Sequence, residues 1–150
     1  MEIIRATNAH IPEVARLFDL YRQFYNCEPD LPLATNYISE RLANDESVIF
    51  AAENPNNQGK LIGFTQLYPT FCSVQAVKIY VLYDIYVDAA ARQKDVGTAL
   101  MQQAADFCKS QGAKRMDLLT GKDNFQGQGL YEKMGWYKTN EEFFAYSLDL

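Results

Sequence analysis

His10 is the only histidine in 150 residues, and the three cysteines, Cys27, Cys72 and Cys108, form no Cys-x-x-Cys pair. A zinc site built from Cys and His therefore lacks ligands, and an odd, widely spaced set gives no disulfide framework. Cys108 falls in a helical apolar pattern and reads as a small core residue. Cations are scarce too: 14 Lys and Arg stand against 19 Asp and Glu, a formal net charge of −5. That balance argues against a nucleic-acid binder, whose affinity rests on cations meeting phosphates. It leaves room for cationic partners, which an acidic surface attracts. No uninterrupted apolar run approaches the roughly 20 residues of a membrane helix. The opening MEIIRATNAH lacks the basic-then-apolar pattern of a secretory signal. The expected location is the cytoplasm, with no membrane partner.

The sequence does hold enough apolar material for a core: 48% of residues are hydrophobic and 22% charged. One domain spanning 1–150 is expected, since no repeat or linker divides the chain. Short strands are read at Met1–Thr7, Ser47–Ala52, Leu61–Tyr68, Arg115–Leu119 and Glu142–Leu148, and a long one at Val77–Val87. Pro69–Ala76 reads as a connector. Helices are read where apolar residues recur at three- and four-residue spacing. The first carries Ile11, Val14, Leu17, Phe18, Tyr21 and Phe24, the second runs from Pro32 to about Ala43, the third covers Val96–Gln111 and the fourth Asn124–Met134. The result is an α+β order of β-α-α-β-β-β-α-β-α-β. Its centre, Val77 to Leu119, is long enough for a right-handed crossover between parallel strands.

Chemistry is expected where that strand feeds the helix, because free N–H groups at a helix start favour anions. The junction reads LYDIYVDAAARQKDVGTAL, with Arg92 and Lys94 flanking a turn and Gly97 and Thr98 opening the helix. Two cations and backbone donors suit a pyrophosphate; an ordinary solvated loop with a helix-start glycine explains the same residues. Asp84 is the other residue needing a reason, since aspartate is depleted in strands. By alternation it shares a face with Leu82 and Tyr86, subject to a local bulge.

The junction resembles the coenzyme-A motif of the GNAT superfamily of N-acetyltransferases, a Q/R-x-x-G-x-G/A loop after an apolar-x-Val strand end. Arg92 fills its first place, Gly97 its last, and Ile85 to Val87 end the strand. Downstream, NFQGQGLYEKMGW resembles the family's N-x-x-A-x-x-L-Y-x-K-x-G-F, matching at Asn124, Leu130, Tyr131, Lys133 and Gly135. Gly127 replaces the usual alanine and Trp136 the usual phenylalanine. The YPTF and LYDIYVD segments further resemble a small branch holding yeast histone/polyamine acetyltransferases. The resemblance covers essentially the whole chain and implies a GNAT-like mixed sheet flanked by helices, with splayed parallel strands at the crossover.

It also implies roles. Acetyl-CoA would be the co-substrate, with no metal. Backbone groups of Ile85 and Val87 would pair with the pantetheine arm, although both residues also read as plain β core. Gln93, Lys94, Asp95, Val96, Gly97 and Thr98 would wrap the pyrophosphate, with Arg92 and Lys94 adding charge. Asn124 would hydrogen-bond the arm. Tyr131 would protonate the departing sulfur, a phenol being protonated at neutral pH; an aromatic packed on a helix face is the bland alternative. Asp84 would take the ammonium proton or bind the amine, unless it is a structural carboxylate. Tyr21, Tyr25 and Glu28 would wall the acceptor pocket, aromatic faces suiting a cation. His10 reads as a helix-start residue.

The acceptor implied is a primary amine of a small molecule: a polyamine, diamine or amino-acid derivative. A protein lysine or N-terminus is the competing acceptor, and a degenerate, non-catalytic binding module is the competing class. The loop departs from the family where glycine is usual, at Gln93 and Asp95. An aspartate there tolerates left-handed backbone but brings charge near the pyrophosphate; it also suits an N-cap. A homodimer is expected, because relatives pair edge strands or exchange C-terminal ones, and FFAYSLDL offers such an edge.

Overall fold

The computed structural model describes residues 1–92, 94–139 and 141–150. Two compact units, Met1–Leu119 and Thr120–Leu150, make up the chain. The first contains β1 (Ile3–Arg5), α1 (Ile11–Phe24), α2 (Leu31–Ala43), β2 (Val48–Glu53), β3 (Leu61–Cys72), β4 (Val77–Val87), α3 (Val96–Ser110) and β5 (Arg115–Asp117). The strands lie in the order β1-β2-β3-β4-β5. Neighbours are antiparallel from β1 to β4, and β5 runs parallel to β4. This is the mixed α+β sheet with flanking helices that the sequence implied.

Local chemistry explains the helices. Pro12 lies in the first turn of α1, where its missing N–H costs nothing. His10 closes the preceding turn by pairing Nδ1 with the Thr7 N–H at 2.9 Å. Asp30 caps α2, accepting from the Leu33 N–H at 3.1 Å. Val14 and Leu17 of α1 and Ile38 of α2 are fully buried in one core with Phe64. On the other face, Phe107 of α3 meets the rings of Phe50 and Tyr80. Gly63 permits α3 to come close, since a Cβ there would lie 3.2 Å from Val96 and 3.0 Å from the Tyr86 carbonyl.

Besides small shifts at the ends of other elements, three differences from the sequence reading have a physical reason. β3 continues through Pro69 to Cys72, so the connector shrinks to residues 73–76. Proline is tolerated because β2 pairs only as far as Leu67, leaving that side of β3 open. β5 stops at Asp117 rather than Leu119. No strand is assigned over Glu142–Leu148, where the sequence reading expected the closing one: a strand exists through its ladder, and among the described residues no ladder includes this segment.

Cys72 ends β3 beside Arg115, whose guanidinium binds Asp117 at 2.8 Å. The Gln75 backbone N–H and the Arg115 guanidinium hold the Cys72 thiol below its usual range. Cys27 is exposed and Cys108 buried; burial raises the Cys108 thiol to about 11. The second unit holds one described helix, α4 (Phe125–Lys133), and residues 141–150 at its end are exposed. Among the described residues no helix is long and apolar enough to cross a membrane.

Candidate active site

Asp84 owes its position to a single extra residue. Gln66 pairs with Asp84, yet Leu67 pairs with Leu82, so Tyr83 is a one-residue bulge in β4. Cross-strand partners share a face and consecutive residues alternate. Leu67, Leu82 and Tyr80 therefore face α3, where the Tyr80 ring meets Phe107 at 5.8 Å. Asp84 is turned to the other side with Phe64, Gln66 and Tyr86, the side on which Tyr21 of α1 meets Phe64. The sequence placed it with Leu82 and Tyr86; the bulge keeps Tyr86 and removes Leu82.

Asp84 as a residue is 3% exposed. Gln66, fully buried, donates its Nε2 hydrogen to Asp84 Oδ2. Ser47 Oγ donates to Gln66 Oε1 at 2.8 Å and so fixes which way that amide points. Thr65 Oγ1 donates to the Asp84 carbonyl at 2.8 Å. Burial raises the Asp84 pKa from the usual 3.8 to about 6, with the Gln66 and Tyr21 hydrogen bonds pulling the other way. A carboxylate poised there can exchange a proton near neutral pH.

Tyrosines gather around it. Tyr21 donates to the Tyr83 carbonyl at 3.2 Å and lies beside the Asp84 carboxylate. Burial, then the nearby Asp84 charge, pushes its phenol well above the usual range. Tyr68 shares a hydrogen bond with Tyr37 and is raised likewise, first by burial. Tyr21 meets the Tyr25 ring at 5.1 Å, and Tyr68 meets Tyr83 at 5.6 Å. Of the expected acceptor residues, Tyr21, Tyr25 and Asp84 thus come together. Glu28 is exposed and forms no hydrogen bond or ion pair among the described residues.

Gln66, Ser47, Tyr68 and Tyr83 were not singled out from sequence. Gln66 did leave a signal, as a polar residue inside the apolar run LIGFTQLY on the strand before Asp84.

Beyond Asp84 the backbone opens. β5 pairs with β4 only from Ile79 to Val81. The Asp88 N–H donates to the Ile62 carbonyl at 2.9 Å, so even-numbered residues there address β3. By the antiparallel pattern, Ile85 and Val87 turn their N–H and C=O groups toward the β5 side, where no described strand meets them. Arg92 Nε donates to the Val87 carbonyl at 3.0 Å, and its guanidinium lies over the Tyr86 ring.

Asp95, at the N-cap of α3, has φ +60°, the left-handed region that glycine usually fills. Its side chain makes no capping bond, so the capping role read from sequence is not the one it plays. Its carbonyl accepts the Ala99 N–H at 3.0 Å, starting the helix. Lys94 and Asp95 are exposed, and Val96, Gly97 and Thr98 form the first turn, whose N–H groups point out of the helix start. Gln93 lies outside the described residues.

In the second unit, Asn124 caps α4: Oδ1 accepts the Gly127 N–H at 3.1 Å, and Nδ2 donates to Thr120 Oγ1 at 3.0 Å. A Cβ on residue 127 would lie 2.5 Å from Asn124 Nδ2, which accounts for glycine where the motif usually has alanine. Tyr131 is half-buried, its ring 6.3 Å from Trp136. No group of three or more His, Cys, Asp or Glu among the described residues is arranged to hold a metal.

Comparison with known proteins agrees with this architecture. Residues 14–136 match the model of the acetyltransferase (GNAT) family. The chain is 41% identical over 150 residues to the uncharacterised N-acetyltransferase YhfO of Bacillus subtilis, covering all of this chain and 98% of that protein. A probable acetyltransferase of Haemophilus influenzae is 32% identical over 107 residues, covering 71% of this chain and 72% of that one. The crystal structure of another probable acetyltransferase superposes with a TM-score of 0.90 at 35% identity, covering 100% of this chain and 98% of that one. The chain belongs to the GNAT family and is an acetyltransferase of that type.

Proposed function

We propose that this acetyltransferase moves the acetyl group of acetyl-CoA onto a primary amine of a small molecule, and that 1–150 works as one domain. The observation that carries the acceptor side is Asp84: a buried carboxylate with a pKa of about 6, set among tyrosines beside an open strand edge. The family match from 14 to 136 runs through every residue assigned a role, and across both compact units.

Acetyl-CoA supplies an activated acyl group as a thioester. Asp84 accepts the ammonium proton, directly or through water, leaving a neutral nitrogen lone pair. That nitrogen bonds to the thioester carbonyl carbon as the carbon–sulfur bond breaks. A backbone N–H at Ile85 or Val87 faces the thioester oxygen and stabilises its developing charge. Tyr131 gives its phenolic proton to the leaving sulfur and is reprotonated through water, which takes the extra proton shed by the acylated nitrogen. Asn124 and the backbone of Ile85 and Val87 bind the pantetheine arm. Gln93 to Thr98, with Arg92 swung from the Val87 carbonyl, bind the pyrophosphate. The left-handed backbone of Asp95 supports this loop reading, because it reproduces the conformation for which relatives use glycine.

The acidic balance and the tyrosine-lined carboxylate support an amine acceptor; polyamines, diamines and amino-acid derivatives are the starting panel. We further assign the protein to the cytoplasm and to a homodimer. The dimer reading rests on the tail, where Phe144, Tyr146 and Leu148 are more than four-fifths exposed. Light scattering at twice the 17.1 kDa chain mass is its test. The first experiment on function is a calorimetric titration with acetyl-CoA, wild type against Asp95→Gly. Micromolar binding by wild type, tightened in the variant, supports the loop assignment; binding by the variant alone makes Asp95 a block on the site. An amine screen reading thiol release follows, and no release above the hydrolysis blank sinks the small-amine reading.

A further inference from the structure

Ser47, the residue before β2, is 4% exposed and takes no part in the steps above. Among the described residues its hydroxyl makes one hydrogen bond, donated to Gln66 Oε1 at 2.8 Å. Gln66 is fully buried and donates its Nε2 hydrogen to Asp84 Oδ2. The three side chains form a line with a direction: hydroxyl to amide oxygen, then amide nitrogen to carboxylate.

A primary amide can sit two ways round, and the two present opposite chemistry to Asp84. With its nitrogen forward it donates, and a donor favours the charged carboxylate. With its oxygen forward it accepts, so Asp84 must carry a proton to meet it. Ser47 decides between them. When the nitrogen is forward, the hydroxyl hydrogen has Gln66 Oε1 as its acceptor. When the oxygen is forward, the hydroxyl receives from Nε2, and its own hydrogen is left buried without a partner, which is costly.

The other groups around Asp84 are ring hydroxyls. Tyr21 from α1 and Tyr68 from β3 are titratable, and both phenols are pushed well above their usual range. From α2, Tyr37 bonds to Tyr68, and Arg41 lies 4.5 Å from the Tyr37 ring. On β4 itself Tyr83 is exposed, and Tyr86 shares the face of Asp84 with the Arg92 guanidinium over its ring. Gln66 is the amide in this set, the partner that exchanges a donor for an acceptor by turning half round.

We propose that Ser47 is a positioning residue for acetyl transfer. By donating to Gln66 it keeps the amide nitrogen toward Asp84, and so keeps that carboxylate free of a proton until the ammonium supplies one. The proposal rests on the reading of Asp84 as the proton acceptor.

The test compares Ser47→Thr with Ser47→Val in the full chain. Threonine and valine have nearly the same shape, so the pair isolates the hydroxyl. Ser47 borders a cavity of about 250 Å³ with Leu42, Val48 and Ile49, which gives the added methyl groups room. Ser47→Ala against wild type makes the same comparison without added bulk. Ionisation of Asp84 is read by carbon NMR of protein labelled at the aspartate carboxyl carbons, the signal being assigned by its loss in Asp84→Asn. This readout needs no acceptor amine. Ser47→Thr is expected to titrate close to wild type. In Ser47→Val and Ser47→Ala the midpoint is expected to rise by about one pH unit, a ten-fold gain in proton affinity. In a Gln66→Leu background the threonine and valine variants are expected to titrate alike, since Ser47 acts through that amide. Equal midpoints for the two variants with Gln66 in place overturn the proposal, as does a difference that survives Gln66→Leu. Failure of the underlying reading looks different: the midpoints separate as expected, yet Asp84→Asn acetylates the amine panel as fast as wild type.

Discussion

Burial sets what Asp84 does at a given pH. Its raised pKa means that the folded chain holds a proton which the unfolded chain releases between pH 3.8 and about 6. The associated stability is fully present below pH 3.8 and is lost as pH rises through about 6. Two pKa units correspond to about 3 kcal/mol, so Asp84→Asn is expected to raise stability by up to that amount at pH 7.5 and by little at pH 4. Denaturant melts at the two pH values check this. The same variant is expected to lower kcat by about 10²-fold or more and to abolish an acidic limb near pH 6 in the rate profile. Gln66→Leu removes a hydrogen bond that favours the charged form, so that limb should move to higher pH; a limb that stays in place would detach Gln66 from the chemistry. Asp84 was legible in the sequence because a carboxylate is out of character in a strand. Gln66 and Tyr68 were not, because which residues face Asp84 depends on strand register, and register is a property of two strands together.

The bulge in β4 is one residue that the ladder itself does not need. Deleting Tyr83 makes Leu82 and Asp84 consecutive, so ordinary alternation keeps them on opposite faces and Asp84 stays opposite Gln66. Both this deletion and Tyr83→Ala are therefore expected to fold, each losing about 0.5–1.5 kcal/mol with the ring contact to Tyr68, and to keep the acidic limb near pH 6. Thermal unfolding and the rate profile of the two variants check this; a limb lost in the deletion alone would show that Asp84 has left Gln66. At this scale the helices were well marked, since apolar spacing, Pro12, Asp30 and Asn124 identify faces and starts. The sheet was less so. Pro69 read as a break because proline forfeits a donor, but the open side of β3 needs none there. Residues 142–148 alternate like a strand, yet alternation describes a face and cannot supply the neighbour that a ladder requires.

For the molecule as a whole, two motif matches about 35 residues apart anticipated the family, because glycine, asparagine and tyrosine at those spacings answer to backbone geometry and caps. The proposed acceptor side was out of reach of such motifs, because its tyrosines come from α1, α2, β3 and β4 and only the folded sheet assembles them. The cysteines carry a practical consequence for measuring it. A transferase that frees a coenzyme thiol is commonly followed with a colour-forming disulfide reagent, and this chain brings reactive sulfur of its own. Cys27 is exposed, and Cys72 has its thiolate favoured by Gln75 and Arg115. Cys108, buried and shifted to about 11, resists. Native protein should therefore react at two thiols per chain and reveal the third only in denaturant. An initial burst of colour proportional to enzyme concentration would belong to those two side chains, and only the slope that follows would count product.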